Sequence, residues 1–371
     1  MATSDVSAAP GPPRDLDELH DYLRAAVQLE LSVIPPYLCG LYSLRPGGLN
    51  GETALILRSI VTEEMLHLTL AANTLMAVGG GPPRLTDPHR LPRYPALLAT
   101  EEGLPPEQQF LVHLLPFSPP ALDTYLKIEN PEHPHDHALL RAVATHEPSA
   151  LHAAKLGFPT VGAFYAAIET GLRDLTASLG PDRVFTGDER LQILPEHYYA
   201  GGGRVRVVRT LDDALAALSE IVEQGEGDVG TIYDDDGDIA HFFRFMEIRF
   251  GRRYRPGDPP DAPSGEPFTV DYDAVYPMRP DPRTADYGSA DLRALSDRCN
   301  RTWSALLRRL DRAFAGTNPD VKGQDMIRAV ALMLDLRDHA SDLMRVPLED
   351  GTHAGPTFEY VEAEDDEEEL P

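Results

Sequence analysis

In three segments of the sequence, acids or histidines occupy positions that would face the protein core if the segment formed an amphipathic helix. Glu64 and His67 fall on the apolar stripe of the helical pattern around TEEMLHLTLAAN, residues 62–73. Glu30 fills an inward position of an earlier helical pattern. Because burying an isolated charge costs several kcal/mol, an inward carboxylate must be paired, protonated or bound to a metal ion. These residues are therefore candidates for a functional site.

The same acid-and-histidine spacing recurs later in the chain. Glu64-x-x-His67 and Asp238-x-x-His241 share a three-residue spacing, which puts both side chains on one face of a helix. Helices with inward carboxylates, paired with helices carrying an acid-x-x-His motif, supply the ligands of di-iron and di-manganese bundles. Oxygen ligands with one imidazole per metal suit iron or manganese better than zinc. The pattern predicts a centre of two iron ions, or of two manganese ions.

Such a centre needs one more acid from a helix beside 238–251. The apolar face of the helix that contains IVEQGEG continues to Glu226, whereas a helix end at Gly225 would leave Glu223 as its last ordered acid. Glu223 and Glu226 both stay candidates, and Glu169 on another helical pattern is a third.

Two alternatives concern the acids already named. Glu63 is an alternative to Glu64, because Glu63 and His67 are four residues apart and face similarly. The competing interpretation of the buried acids is a metal-free ion-pair network with Arg58 or Arg244.

Two tyrosines are candidates for a catalytic role. Tyr37 lies on the same helical pattern as Glu30, and Tyr165 lies on the helical pattern that contains Glu169. We expect them to line and gate the pocket, although aromatic residues at helical spacing also serve as core.

The elements that position these residues follow from caps, turns and periodicity. The first helical pattern starts after the N-cap Asp15 and runs to the turn RPGGLNG at 45–51. The second spans 52–78 and ends at GGGPP. The two helices are therefore expected to be antiparallel, with Glu30 and Glu64 at similar distances from the turn.

The rest of the chain predicts a mostly α fold with a four-helix bundle at its centre. Residues 82–160, rich in proline and histidine, predict a long crossover insertion with short helices. Residues 191–210 predict a short hairpin-like excursion. Further helices are expected at 160–179, 211–227, 238–251, 289–315 and 322–345.

Four regions are expected along the chain. A disordered N-terminus at 1–14 precedes the metal-binding bundle with its insertion at 15–251. A wrapping segment with additional C-terminal helices follows at 252–361, and an acidic disordered tail closes the chain at 362–371.

Composition excludes several functions. The 371 residues carry a formal charge of −27, which opposes binding to nucleic acid. The N-terminal sequence does not resemble a signal peptide, and no apolar run is long enough for a membrane span. The two cysteines cannot form a disulfide framework. We therefore expect a soluble, cytoplasmic protein without nucleic-acid or membrane partners.

Several segments together resemble one known family. They are QLELSVIPPYLCGLYSL, RSIVTEEMLHLTLAAN, IVEQGEG, DIAHFFRFMEI and GPTFEYV. The set is similar to the ferritin-like proteins related to iminophenyl-pyruvate dimer synthase, the coupling enzymes of violacein and indolocarbazole pathways. The resemblance covers residues 15–361. This chain is much shorter than the pathway enzymes, and it has Asp238 where relatives commonly have glutamate.

The resemblance implies a ferritin-like bundle with a dinuclear iron site, whose ligands carry over to the residues matching the family motifs. These are Glu30, Glu64, His67, Glu223, Glu226 and His241. The implied function is an oxidoreductase of natural-product biosynthesis that uses dioxygen or peroxide to oxidise a small amino-acid-derived substrate, including imine oxidation or coupling. An external electron donor is expected, and an oligomer is compatible with the sequence. The alternative is a non-catalytic metal-binding or scaffold protein that partners a biosynthetic enzyme.

Overall fold

The protein is described by a computed structural model over residues 11–97, 111–130, 160–199, 201–226, 232–234 and 237–363. Within these residues, eight helices of ten residues or more are labelled α1 to α8. They are α1 Leu16–Ser43, α2 Gly51–Ala77, α3 Pro119–Ile128, α4 Val161–Leu179, α5 Leu211–Glu226, α6 His241–Phe250, α7 Ala290–Ala315 and α8 Pro319–Met344. A short antiparallel ladder pairs β1, Ala96–Leu97, with β2, Leu111–Val112. Single helical turns occur at Pro181–Val184, Glu189–Leu191, Pro195–His197 and Thr284–Asp286.

Four helices form a closed ring. The helices α1 and α2 are joined by a short turn and pack along their lengths, α2 packs on α5, α5 on α4, and α4 on α1. The interior of the ring is mainly apolar with a group of buried acids and histidines within it, and α2 is buried on nearly every side. The short helices α3 and α6 pack against each other, with α6 also against α2 and α5. The predicted mostly α fold with a central four-helix bundle is confirmed.

Two prolines lie inside α1 without interrupting it. Pro35 and Pro36 have no N–H to donate, so each leaves a carbonyl four residues earlier without its helical partner. The carbonyl that Pro36 leaves is that of Ser32, and the Tyr94 hydroxyl donates to it at 2.8 Å. A side chain from the insertion thus supplies the hydrogen bond that α1 lacks at this point.

The C-terminal half wraps around the bundle. The helices α7 and α8 form a hairpin, and α8 contacts α1. The segment before α7 is tied to the α1–α2 turn, because the Asn50 amide exchanges two hydrogen bonds of 2.8 Å with the backbone of Asp271. The N–H of Tyr276 also donates to the Ser43 carbonyl at 2.8 Å. These bonds fix the wrapping segment to the end of the bundle.

The predicted hairpin-like excursion at 191–210 is wrong. Its described residues contain no strand, and side-chain amides replace a backbone ladder. The Gln192 amide accepts from the N–H of Val208 and donates to its carbonyl, both at 2.7 Å. Asn73 on α2 makes the equivalent bonds to both backbone groups of Ile193. The alternating valines therefore pack on the bundle instead of pairing with each other.

The predicted disordered ends, 1–14 and 362–371, fall largely outside the described residues. Residues 11–14 are described, and there the expectation of disorder does not hold. The Tyr22 hydroxyl donates to the Gly11 carbonyl at 2.8 Å, and Pro13 is buried against Gly171 of α4.

Within the described parts of the chain, none of the helices has the length and apolar character needed to span a bilayer.

Gly40 is required for the packing of α3 on α1. A Cβ at Gly40 would lie 2.4 Å from the Tyr125 hydroxyl oxygen, which donates to the Pro36 carbonyl at 3.0 Å. Although glycine to alanine usually stabilises a helix, we expect Gly40→Ala to lower the free energy of unfolding by about 1–3 kcal/mol because of this overlap. Chemical denaturation measures the change.

Gly323→Ala is the matched control. Gly323 lies in α8, and its added Cβ would lie 3.5 Å from His197 Cδ2, an ordinary van der Waals distance. We expect this substitution to be neutral or stabilising. Equal effects of the two substitutions would contradict the proposed overlap at Tyr125.

Candidate metal centre

Five acid and histidine side chains from four elements meet inside the bundle. Glu30 lies midway along α1, Glu64 and His67 lie on α2, Glu129 directly follows α3, and His241 is the first residue of α6. All five are buried. The helix repeat explains the inward position of the first three, because each continues an apolar face. The structure thus brings two histidines and three acids to one point.

The five side chains form two similar halves around Glu64. His67 Nδ1 lies 3.5 Å from Glu64 Oε2 and 3.7 Å from Glu30 Oε2. His241 Nδ1 lies 2.9 Å from Glu64 Oε1 and 3.7 Å from Glu129 Oε2. Glu64, His67 and His241 each offer a ligand atom within 4.8 Å of the other two. Each half therefore holds one imidazole nitrogen, one acid of its own and one oxygen of Glu64.

The outer nitrogens of both histidines are held by hydrogen bonds. His67 Nε2 lies 2.9 Å from Gln224 Oε1, and the Gln224 nitrogen donates to the Gly202 carbonyl at 3.2 Å. Because that amide oxygen only accepts, Nε2 of His67 carries the hydrogen. His241 Nε2 lies 2.7 Å from Glu63, whose other oxygen accepts from Arg244 at 2.9 Å. In the neutral form that binds metal ions, each histidine would then direct its Nδ1 lone pair into the centre.

A tyrosine holds the outer acid of each half. The Tyr165 hydroxyl donates to Glu30 Oε1, and the Tyr37 hydroxyl donates to Glu129 Oε1. Burial and the adjacent carboxylate raise the pKa of each phenol well above its usual value. Both tyrosines therefore stay protonated donors, and each leaves the second oxygen of its acid facing the histidines.

Protons compensate part of the negative charge when no cation is bound. Burial, followed by the charge of Glu64, raises the pKa of Glu30 well above its usual value, and the same two causes raise the pKa of Glu129. Burial opposes the charged form of His241, but the carboxylates of Glu129, Glu63 and Glu64 outweigh it and raise the pKa of His241. The centre therefore holds protons at positions where a metal ion would replace them.

The residues present fit a pair of metal ions. His241 Nδ1 is buried without a hydrogen-bond partner, although Glu64 Oε1 lies 2.9 Å from it. Within the described part of the chain, Glu30, Glu64 and Glu129 form their ion pairs with histidine and not with lysine or arginine. One imidazole with several carboxylate oxygens per ion suits iron or manganese.

The cavity at the centre is small. It measures about 30 Å³ and is lined by the acids, His67 and apolar side chains of α1, α4 and α5. Gly225 on α5 keeps this space open, because a Cβ there would lie 3.3 Å from Glu129 Oε2. A cavity of this size accommodates ions and water-sized molecules.

The prediction that Asp238 is a ligand is corrected by the structure. The helix α6 begins at His241, so Asp238 does not share a helical face with it. Asp238 is exposed, and its N–H donates to Asp234 Oδ1 at 2.8 Å in a turn that precedes the helix. The Asp-x-x-His spacing therefore spans a turn, and no shared face results.

The helix α5 contributes different residues from those expected. Gln224 and Gly225 border the centre, whereas the Glu223 carboxylate accepts a hydrogen bond from the Ser219 hydroxyl one turn earlier. Glu226 is the last residue of α5, and its side chain lies outside the described part of the structure. The prediction for Glu226 stays a prediction.

The structure also locates the other residues that the sequence offered as alternatives. Glu63 lies on the outer side of His241 and supports it, while Glu64 occupies the centre. Glu169 is half-buried on α4, outside the group of buried acids and histidines. Of the arginines in the competing interpretation, Arg244 pairs with Glu63 and Arg58 is exposed.

Glu129 is the site residue that sequence reasoning missed. It lies in the insertion predicted to contain short helices, directly after one of them, α3, which runs from Pro119 to Ile128. The signal was present, because Glu129 continues the buried face of Leu122, Tyr125 and Leu126 at helical spacing.

Comparison with known proteins agrees with the helical bundle. The family model described as Ferritin-like matches residues 23–250, more than half of the chain. The chain therefore belongs to the ferritin-like family. It is similar in fold to the crystal structure, at 1.95 Å resolution, of a ferritin-like protein from Caulobacter vibrioides, with a TM-score of 0.53 and 22% identity over 94% of this chain and 100% of that chain. No curated protein sequence matches it.

Substitutions separate the acids that would bind metal from those that support the histidines. We expect Glu64→Gln to abolish binding of two Mn²⁺ ions, because both halves share this carboxylate. Glu63→Gln removes only the support of His241, so metal affinity falls about 10–100-fold. Titration calorimetry with Mn²⁺ measures both effects.

Asp238→Asn is the control for this series, because Asp238 is exposed and away from the centre. It is expected to bind two Mn²⁺ ions as the unmodified chain does. Loss of one ion in Asp238→Asn, or unchanged binding in Glu64→Gln, would contradict the assignment.

Metal affinity is expected to rise with pH. Glu30, Glu129 and His241 have raised pKa values, so they hold protons at pH values where an ordinary glutamate is ionised. A metal ion displaces these protons, and each proton released increases affinity about tenfold per pH unit. Calorimetry at pH 7 in two buffers of different ionisation enthalpy counts them; no release would contradict the pKa directions.

Proposed function

We propose that this protein is a di-iron oxidoreductase that uses dioxygen or peroxide to oxidise a small amino-acid-derived substrate. The observation that supports it most directly is the pair of histidine–carboxylate halves sharing Glu64. A purely structural ion needs one closed set of ligands, whereas two adjacent sets suit chemistry in which two electrons are exchanged. Two iron ions are the proposed cofactor, with manganese as the other metal that suits these ligands.

The chain's own residues would hold and tune this cofactor. Glu30 with His67, and Glu129 with His241, would each bind one ion, and Glu64 would bind both. The ions, when bound, supply the redox equivalents for reaction with the oxidant. Glu63 and Gln224 fix the hydrogen on the outer nitrogen of each histidine, which directs its Nδ1 inward.

The tyrosines would position the terminal acids and provide protons close to the centre. A carboxylate that accepts a hydrogen bond on one oxygen is restrained in how it presents the other. Tyr37 and Tyr165 each donate such a bond and are fully buried. This supports the proposed catalytic role of both residues more than a role as gates.

Apolar walls would limit the access of water to the centre. Leu29, Val33, Ile128, Val161 and Ile221 line the cavity together with the acids. A site that excludes water strengthens its electrostatic interactions and protects reactive species from side reactions. Since the cavity has a volume of about 30 Å³, we propose that it admits the oxidant while the organic substrate binds at its edge.

The substrate class rests on the resemblance of the helix motifs to the iminophenyl-pyruvate dimer synthase family. That resemblance supports imine oxidation or coupling in natural-product biosynthesis, with electrons from an external donor. The protein is proposed to act in the cytoplasm, with residues 15–251 as the catalytic unit and 252–361 as its wrapping segment and additional helices.

Oxygen consumption by iron-loaded protein tests the proposed activity. Apo-protein is loaded anaerobically with two Fe²⁺ per chain and then mixed with oxygen, a reductant and a 2-imino acid generated from an aromatic amino acid. We expect sustained oxygen uptake and a new oxidised product by mass spectrometry. Glu64→Gln is expected to lose at least about 100-fold of the rate, because it removes a ligand from both ions.

Asp238→Asn serves as the control and should retain the rate. Oxygen uptake that stops after one oxidation of the bound iron, with every imino acid tried, would contradict catalysis and favour a metal-binding protein without enzymatic activity. Failure to bind iron at all would contradict the centre itself.

A further inference from the structure

A second, much larger cavity lies away from the candidate metal centre. It has a volume of about 540 Å³ and lies between the outer faces of α1 and α2 on one side and the α7–α8 hairpin on the other. Cavities of about 300–1,000 Å³ are typical of small-molecule sites in proteins. Neither the fold nor the proposed chemistry requires an opening of this size here.

The cavity and the metal centre lie on opposite faces of the same two helices. Leu31 and Met65 line the cavity, while their chain neighbours Glu30 and Glu64 point into the centre. A helix with its side chains is about 10 Å across, so a molecule in the cavity cannot touch the centre. A ligand here would therefore be distinct from the substrate of the metal centre, and its binding does not depend on the proposed oxidation.

The cavity walls are mainly aliphatic. Leu38, Val61 and Leu68 face Leu307, Met326 and Leu336 across it. Methionine adapts to irregular ligands because its side chain is flexible and polarisable. One aromatic residue on the hairpin side, Trp303, also lines the cavity. Such walls suit an alkyl chain.

The charged residues that line the cavity all have the same sign. They are three arginines, Arg45, Arg58 and Arg337, and the described lining includes no aspartate, glutamate, lysine or histidine. This contrasts with the whole chain, whose 60 acidic residues exceed its 33 basic residues and give a charge of −27. The cavity is thus a locally positive opening on an acidic protein, which favours an anionic ligand.

Two of the arginines that line the cavity have no buried acid as a partner. Arg58 is exposed and forms no ion pair with a described residue, and Arg337 pairs with the exposed Asp338 at 2.9 Å. The Tyr42 phenol lines the same cavity, and burial raises its pKa, so it stays a protonated donor. Two guanidinium groups and a phenol therefore border the apolar space.

We propose that this cavity binds an aliphatic carboxylate of the fatty-acid class. The alkyl chain occupies the space between the bundle and the hairpin, and the carboxylate contacts Arg58, Arg337 and the Tyr42 hydroxyl. Guanidinium groups bind carboxylates through paired, charge-assisted hydrogen bonds, whereas a neutral or cationic head group gains nothing from them. The site thus selects by head-group charge as well as by chain length.

Binding of dodecanoate to the full chain tests the proposal. Trp303 is the chain's single tryptophan and lines the cavity, so its fluorescence reports occupancy at dodecanoate concentrations below micelle formation. We expect saturable binding of one molecule per chain, weakening about fourfold for each methylene removed from the acid. Dodecanol and dodecyltrimethylammonium are expected to bind at least tenfold more weakly.

Substitutions locate the ligand. Arg58→Gln with Arg337→Gln is expected to weaken dodecanoate binding about 10–100-fold and leave dodecanol binding unchanged. Ala54→Phe, which fills part of the cavity, should weaken both. Arg173→Gln on the exposed face of α4 is the matched charge control and should change neither.

The head-group comparison needs no substitution, so it remains decisive if a variant does not fold. Equal affinity for dodecanoate and dodecyltrimethylammonium would overturn the proposal. It would also be overturned by dodecanoate binding that the paired arginine substitutions leave unchanged, or by a stable dimer in light scattering that excludes dodecanoate and is broken by Leu334→Lys at the exposed rim of the cavity.

Discussion

Three carboxylates are buried around one point, and none of them pairs with a lysine or arginine of the described residues; this is the constraint on which the architecture depends. Glu30, Glu64 and Glu129 lie in an apolar interior where like charges repel strongly. Protons can relieve this repulsion, and so can two divalent cations. The arrangement fits the second solution that we propose, because both histidines turn their Nδ1 atoms toward Glu64.

Hydrogen bonds from surrounding side chains support two similar halves of the centre, one on each side of Glu64. On each side of Glu64 there is a histidine fixed from outside, by Gln224 or by Glu63, and an acid fixed from outside by a tyrosine. These outer contacts come from all four helices of the ring, α1, α2, α4 and α5. The packing of the bundle therefore determines the geometry of the site. The Ser32 carbonyl of α1, which lacks a helical partner because of Pro36, accepts a hydrogen bond from Tyr94 of the insertion.

Amphipathic periodicity accounts for the parts that the sequence could predict. Glu30, Glu64 and His67 lie deep within long helices, where the positions of apolar residues determine which way each side chain points. Asp238 lies before the start of a short helix, where periodicity no longer applies, whereas Glu129 continues the buried face of α3 directly after its last residue. The Asp234–Asp238 turn moved the start of α6 to His241, and α3 formed inside a proline-rich insertion. The Asp238 error comes from a helix end, which local hydrogen bonds determine, whereas Glu129 was missed because the short periodic pattern of α3 lies in a proline-rich segment.

Anomalous diffraction from crystals grown with ferrous iron is the most direct measurement of the central claim. The account predicts two iron peaks, one between His67, Glu30 and Glu64 and the other between His241, Glu129 and Glu64. A single peak bound by Asp238, or an iron-free cluster whose acids are bonded only to protons and tyrosines, would contradict it.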